Sequence, residues 1–183
     1  MNWRVLPGIL GVVVIYLCIT LSIMLSPWFS WTANALSDLG HPAKSTAAPI
    51  FNFGLAAGGI LVALYAVSAM AGRAKYSAIL LAVTGISLTL VGVFNESWGW
   101  LHFAVSVVFF SFACLTLFAY SIEMRSLLAA LSAIIGLLAW FFFWLDISQL
   151  GVAVPELISS LAATAWFLYD NYLSIQKPVA AKA

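Results

Sequence analysis

Two histidines and two carboxylates are the residues of this sequence whose types and positions could do chemistry. Asp38 and His41 are three residues apart in the stretch SDLGHP, so on a helical turn both side chains would lie on one face. His102 and Glu156 each stand at the start of a long apolar run. Histidine nitrogens and carboxylate oxygens are common ligands of zinc and other divalent ions, which can activate water. The four side chains are therefore candidate metal ligands, with Ser37 as a neighbouring hydrogen-bond donor.

Each of the four residues also has a structural interpretation, which spacing alone does not exclude. Asp38 is placed to cap a short helix, and His41, which precedes a proline, is placed to lie in a turn. Glu156 follows Pro155, a pair that suits the first turn of a helix. His102 could serve only as a hydrogen-bond donor at a membrane interface. A metal site and a set of unrelated structural roles both remain open at this point.

The elements that must position these residues are membrane helices. Of the 183 residues, 64% are hydrophobic and 7% are charged, whereas soluble domains carry roughly a quarter charged residues. A spanning helix needs about 20 apolar residues. The sequence predicts six such helices, at residues 5–25, 50–71, 76–94, 101–120, 127–145 and 156–172. We therefore expect an all-α, six-helix transmembrane bundle that forms a single domain over residues 1–183. The net charge of +1 gives no reason to expect a nucleic-acid partner.

Basic residues indicate how the bundle is oriented, because cytoplasmic loops of membrane proteins carry an excess of Lys and Arg. With six spans, one side of the membrane receives Arg4, Arg73, Lys75, Arg125, Lys177 and Lys182. Only Lys44 falls on the other side. The N- and C-termini are therefore predicted to lie in the cytoplasm, with the protein in the plasma membrane. The first apolar run is longer than the core of a signal peptide, and we interpret it as a retained helix.

Most of the acidic residues and both histidines fall on the predicted external side. These residues are Asp38, His41, Glu96, His102, Asp146 and Glu156. His102 with Ser106, and Glu156 with Ser160, are spaced so that each pair shares one helix face. Because polar residues of membrane helices normally face the protein interior, these faces are expected to meet in a polar pocket that opens outward. Ordinary hydrogen bonding between helices is the alternative.

Other polar and small residues are predicted to be structural. Gly54, Gly58 and Gly59 in the second helix have the small-residue spacing that lets another helix approach closely in lipid. Glu123 lies in a predicted cytoplasmic turn and is expected to be solvated. Asp170 is placed at the cytoplasmic end of the last helix.

Three short stretches occur in an order that a known family shares. They are NALSDLG at residues 34–40, GVFNE followed by His102, and VPE at the start of the last helix. Together they resemble the DUF998 family of small polytopic membrane proteins of bacteria and archaea. Asn95 departs from the family pattern, which has a proline after Gly-x-Phe. The resemblance implies a six-helix bundle but no reaction, and it marks as family-pattern positions Ser37, Asp38, His102 and Glu156.

Three functions are compatible with these residues, and a binding function is preferred. The protein would be a membrane subunit that holds a lipid headgroup or a partner subunit through Ser37, Asp38, His41, Asn95, His102 and Glu156. The second function is a hydrolase acting on a lipid at the outer leaflet. It would use the catalytic candidates Asp38, His102 and Glu156 and a divalent metal such as zinc, held with the help of His41. The third is a small proton-coupled transporter, although six helices without a visible repeat are few for that class.

Six spans with cytoplasmic termini give a defined result with topology reporters, because an even number of spans returns the chain to its starting side. In a bacterial inner membrane, green fluorescent protein fused after residue 183 should fluoresce, and alkaline phosphatase fused at the same position should be inactive. Phosphatase fused after Lys44 should be active. An active phosphatase at the C-terminus would contradict the predicted topology.

Overall fold

The protein is all-helical over the residues that a computed structural model describes, 3–145 and 150–176. Asp146, Lys177 and Lys182, to which the sequence assigned sides of the membrane, lie outside those ranges. The long helices are α1 Leu6–Met24, α2 Ala48–Tyr65, α3 Lys75–Val93, α4 Trp100–Glu123, α5 Leu127–Trp144 and α6 Ala153–Gln176. One turn of π-helix, Ala66–Met70, continues α2. Short 3-10 helices lie at Trp3–Val5, Leu36–Gly40 and Glu96–Trp98.

Five of the helices, α1 to α5, are long and apolar enough to cross a membrane. The helix α6 has 24 residues, which is a sufficient length for a span, but it is the least apolar of the six. Its polar residues Asp170, Asn171 and Ser174 are buried against other helices. A multi-pass membrane protein is therefore established, and α6 differs from the other helices because its polar side chains pack inside the bundle.

Several helix ends differ from the predicted boundaries for local chemical reasons. The helix α2 begins at Ala48, with Pro49 in its first turn. Proline is tolerated there because the first N–H groups of a helix have no partner within the helix. The helix α6 begins at Ala153, so that Pro155 lies within its first turn. The helix α4 continues to Glu123, which places this residue on the helix rather than in the turn after it.

The helices pack mainly against their neighbours in sequence, and α1 also packs against α6, which closes the bundle into a ring. The ring surrounds a narrow cavity of about 150 Å³ whose wall is largely apolar, with several hydroxyl side chains and Glu156 among its lining residues. Two clusters of buried apolar residues lie towards the two ends of the ring. One surrounds Tyr65 and Tyr120, and the other surrounds Leu39 and Phe51.

Glycines set the distance between α2 and its neighbours, as their spacing predicted. A Cβ atom on Gly54 would lie 2.3 Å from the Cβ atom of Cys18 in α1. On the other side of α2, a Cβ atom on Gly59 would lie 2.5 Å from the carbonyl oxygen of Gly85 in α3. Real Cβ atoms do not approach other atoms so closely, so this packing of α2 between α1 and α3 requires glycine.

Replacing Gly59 by alanine is expected to destabilise the protein by about 1–3 kcal/mol, because the added methyl group forces α2 and α3 apart. The measurement is thermal unfolding in detergent. Gly136→Ala is the matched control, since a Cβ atom there meets only ordinary contacts with Ser159, the nearest at 3.4 Å. Equal melting temperatures for the two variants would show that the α2–α3 contact is not as tight as described.

Candidate functional site

The 3-10 helix Leu36–Gly40 positions Ser37 and Asp38 at one end of the bundle, which we call the Asp38 end. The carboxylate of Asp38 is buried. It accepts hydrogen bonds from the backbone N–H of Ala35 at 2.9 Å and from Nδ2 of Asn34 at 3.1 Å. Asp38 therefore caps its own short helix, which was one of the two interpretations that the sequence left open.

Lys44 bridges two carboxylates at this end. Its Nζ lies 2.5 Å from Oδ1 of Asp38 and 3.1 Å from Oε1 of Glu96. Burial alone would raise the pKa of Asp38, but the hydrogen bonds from Lys44, Ala35 and Asn34 outweigh it and hold this pKa below its usual value. The hydrogen bond with Asp38 raises the pKa of Lys44. Asp38 is thus an ionised residue whose oxygens are occupied by protein donors.

His41 lies in a turn after the short helix and does not share a site with Asp38. Its backbone N–H donates to the carbonyl oxygen of Asp38 at 3.1 Å. Its Nδ1 accepts a hydrogen bond from the backbone N–H of Ala43 at 3.1 Å. Among residues 3–145 and 150–176, no group of three or more His, Cys, Asp or Glu side chains is close enough to hold a metal ion. The four candidate ligands are therefore not gathered as the metal hypothesis requires.

His102 is buried in the first turn of α4, with its two ring nitrogens in different environments. Its Nδ1 lies 2.8 Å from the carbonyl oxygen of Phe94, so we assign the proton to Nδ1. Its Nε2 lies 3.4 Å from Oγ of Ser106, one helical turn further along. With the proton on Nδ1, the Nε2 lone pair remains available as an acceptor at this end of α4.

Glu156 joins the first turn of α6 to the 3-10 helix. Its Oε2 accepts a hydrogen bond from the backbone N–H of Leu36 at 2.7 Å. The segment before α6 reinforces this contact, because Gly151 N–H donates to the carbonyl oxygen of Trp31 and Ala153 N–H donates to that of Asn34, each at 3.0 Å. The first loop is therefore fixed to α6 by one carboxylate and two backbone hydrogen bonds.

A cavity of about 680 Å³ lies between α4, α5 and α6 and begins under these loops. Three of the predicted binding residues, Ser37, His102 and Glu156, line it. The other polar side chains in its wall at the same end are Glu96, Ser106, Ser159 and Ser160. The remaining wall is largely apolar and aromatic. The two predicted helix faces, His102 with Ser106 and Glu156 with Ser160, therefore meet in one space.

Asp38, His41 and Asn95, which were also predicted as binding residues, do not line this cavity. Asp38 and His41 make the contacts described above. Asn95 caps the 3-10 helix Glu96–Trp98 instead, since its Oδ1 accepts hydrogen bonds from N–H and Oγ of Ser97 at 3.1 and 2.7 Å. Each of the three side chains is occupied by local backbone or side-chain partners.

Two further residues of the cavity wall, Glu96 and Trp140, were not among the binding residues predicted from the sequence. Oε2 of Glu96 and Nε1 of Trp140 are buried and have no hydrogen-bond partner within the described residues. Buried polar atoms without a partner are rare in proteins and call for an explanation. The available signal was that Glu96 and Lys44 both fall in loops that the sequence predicts on the same side of the bundle.

A second polar cluster, which sequence reasoning missed, lies at the opposite end of the bundle, here called the Asp170 end. Asp170 is fully buried. It accepts hydrogen bonds from the hydroxyls of Tyr65 and Tyr120, both at 2.6 Å, and from Arg73 at 2.8 Å. These partners come from α2, α4 and the turn before α3. The available signal was that both tyrosines lie towards the ends of their predicted helices on the side that carries Arg73.

Glu123, also at the Asp170 end, is not the solvated side chain that the sequence suggested. Its carboxylate accepts hydrogen bonds from N–H and Oγ of Ser77 at 2.9 and 2.6 Å and from N–H of Tyr76 at 3.2 Å. It therefore caps the start of α3 from the end of α4, where a negative charge also suits the helix dipole.

These features define a multi-pass helical membrane protein with a cavity between three helices and two polar ends. The chain belongs to a family described as protein of unknown function (DUF998), whose family model matches residues 9–169. The match confirms the resemblance seen in the three short motifs. Neither a curated protein nor a solved structure matches the chain significantly.

Asp38→Asn is expected to lower the stability at pH 7 by about 1–3 kcal/mol, because it removes a buried charge that several donors satisfy. Folding lowers the pKa of Asp38. The contribution of its charge to stability is therefore complete above the ordinary aspartate pKa of about 3.9. This contribution is lost as the pH falls through the lower pKa of the folded protein. The difference in melting temperature between the wild type and this variant should therefore shrink below about pH 4.

Glu96→Gln is the control, because it weakens only the more exposed of the two Lys44 contacts and should cost less than about 1 kcal/mol. A stability difference for Asp38→Asn that stays constant down to pH 2 would contradict the ion-pair assignment.

Proposed function

We propose that the protein is a membrane subunit that binds a lipid-like amphiphile in the cavity between α4, α5 and α6. The observation that carries the proposal is the division of this cavity into a polar end, formed by Ser37, Glu96, His102 and Glu156, and a long apolar remainder. An amphiphile has the same division. Its headgroup would contact the polar end, and its hydrocarbon chain would lie between the helices.

The length of the cavity supports a chain of membrane-lipid size. Along α4 its wall runs from His102 at the polar end to beyond Cys114. The twelve residue-to-residue steps from His102 to Cys114 correspond to roughly 18 Å at about 1.5 Å per step. One leaflet contributes about half of the roughly 30 Å hydrocarbon core of a bilayer. A single lipid chain therefore matches the available length.

The side of the cavity formed by α4 and α5 supports access from the bilayer. Phe103 and Val107 of α4 and Leu137 and Trp144 of α5 line the cavity. All four are also exposed on the surface of the bundle, by 48% to 73%. A wall whose residues face both the cavity and the surroundings is open towards the lipid, so the ligand need not pass through water.

The same proposal places the Asp38 end at the outer face of the plasma membrane, with α6 as a sixth span. The excess of Lys and Arg at the other end supports this orientation. The burial of Asp170 and Asn171 supports a spanning α6, because polar side chains that face protein do not meet the lipid. Asp38 bonds to Lys44, and His41 bonds to Ala43. These contacts favour a binding function over metal-dependent hydrolysis.

Cys114 provides a direct test, because it lines the cavity and the only other cysteine is Cys18. In a Cys18→Ala variant reconstituted in nanodiscs, a membrane-permeant maleimide should label Cys114. Monolauroylglycerol should slow this labelling in proportion to occupancy, by about tenfold at ten times its Kd.

The matched control is a cysteine on the lipid-facing surface of the same helix. Val108 is 41% exposed and does not line the cavity. Labelling of Val108→Cys in a background without the two native cysteines should be unaffected by the amphiphile. Equal effects at both positions, or none at Cys114, would show that the cavity binds no amphiphile.

A further inference from the structure

We infer that the cavity selects an amphiphile whose headgroup carries an ammonium group. This inference rests on the proposed binding function and adds the chemical class of the ligand. It follows from the acidic side chains and the acceptor atoms at the polar end of the cavity, and from the aromatic side chains in its wall.

The charge at this end is negative. Glu96 and Glu156 line the cavity, and Asp38 is close enough for all three carboxylates to interact electrostatically. The basic partner within the described chain is Lys44, which is already bonded to Asp38 and to one oxygen of Glu96. Three acidic side chains share one lysine, so a cation in the cavity would be attracted to them and would favour their ionised forms.

The buried polar atom that lacks a partner at this end among the described residues, Oε2 of Glu96, is an acceptor. Nε2 of His102 is also an acceptor, because the proton lies on Nδ1 beside the carbonyl oxygen of Phe94, and its neighbour is the Ser106 hydroxyl at 3.4 Å. Nε1 of Trp140, the other unpartnered cavity atom, is a donor that lies beside Phe110, further along α4. An ammonium group has up to three N–H donors and no acceptor. It therefore complements the two acceptors, whereas a phosphate would place acceptor against acceptor and negative charge against negative charge.

Aromatic rings complete the environment that an ammonium group prefers. Trp140 and Trp144 of α5 and Phe103 of α4 line the same cavity. Trp140 is held by an edge-on contact with Phe110, with ring centroids 5.1 Å apart. Ring faces attract ammonium groups and do so most strongly for tryptophan. Carboxylates at the polar end of an apolar cavity, with tryptophans in its α5 wall, favour a cationic headgroup over a neutral one.

The test compares three probes that share one chain length: dodecylamine, monolauroylglycerol and dodecyl phosphate. Each is titrated against the maleimide labelling of Cys114 in the Cys18→Ala protein at neutral pH. Dodecylamine should reach half-protection at a concentration about tenfold lower than monolauroylglycerol. Dodecyl phosphate should be the weakest of the three.

Two sets of variants distinguish site selectivity from differences in how the probes partition into the bilayer. Glu96→Gln combined with Glu156→Gln keeps acceptors for Lys44 and for Leu36 N–H. It should therefore remove the preference for dodecylamine, so that dodecylamine and monolauroylglycerol reach half-protection at similar concentrations. Glu123→Gln removes a carboxylate at the opposite end and should leave the preference intact. If the double variant fails to fold, Glu96→Gln and Glu156→Gln are tested separately. Each should lose part of the preference for dodecylamine.

The outcomes separate this inference from the function on which it rests. Equal protection by all three probes, or strongest protection by dodecyl phosphate, would overturn ammonium selectivity while amphiphile binding stands. A preference for dodecylamine that persists in the Glu96 and Glu156 variants would overturn it as well. Protection by none of the probes would overturn the binding function, and the inference with it.

Discussion

Each end of α6 carries one carboxylate that another part of the chain satisfies. Glu156 accepts the backbone N–H of Leu36 at one end, and Asp170 accepts two tyrosine hydroxyls and Arg73 at the other. Removing charge from water is costly, and these partners offset the cost only when their geometry is maintained. The least apolar helix is thereby fixed at both ends, and it closes the ring that α1 to α5 begin.

The cavity follows from how tightly the different helices can approach one another. Glycines bring α2 against both α1 and α3, so that side of the ring is closely packed. At the junction of α4, α5 and α6 the lining includes large rings such as Phe110, Trp140 and Phe143, which hold the helices further apart. A bundle with glycine contacts on one side and aromatic contacts on the other leaves its open space on the aromatic side.

The two polar ends use their charges differently. At the Asp170 end, the carboxylate, both tyrosine hydroxyls and Arg73 bond to one another inside the bundle, which suits a structural role. At the Asp38 end, Lys44 is shared between two carboxylates, and Glu96 retains an oxygen without a partner. This difference makes the Asp38 end the place where a ligand can add contacts that the protein does not make by itself.

The sequence by itself determined the class of the protein and most of its helices. Apolar runs of about 20 residues have few alternatives to a spanning helix, because a bilayer offers no other partner for the backbone. Helical spacing also placed His102 with Ser106 and Glu156 with Ser160 on common faces. The glycines of α2 were recognisable for the same reason, since close approach depends on residue size and spacing alone.

Only the tertiary structure decided which polar residues meet. Asp38 and His41 are three apart in sequence, yet Asp38 turns inward to its own helix end and to Lys44, while His41 bonds to Ala43. The partners of Glu96, Glu156 and Asp170 lie between 50 and 120 residues away. Local patterns carry no information on such distances, because they depend on how the helices pack around the whole ring.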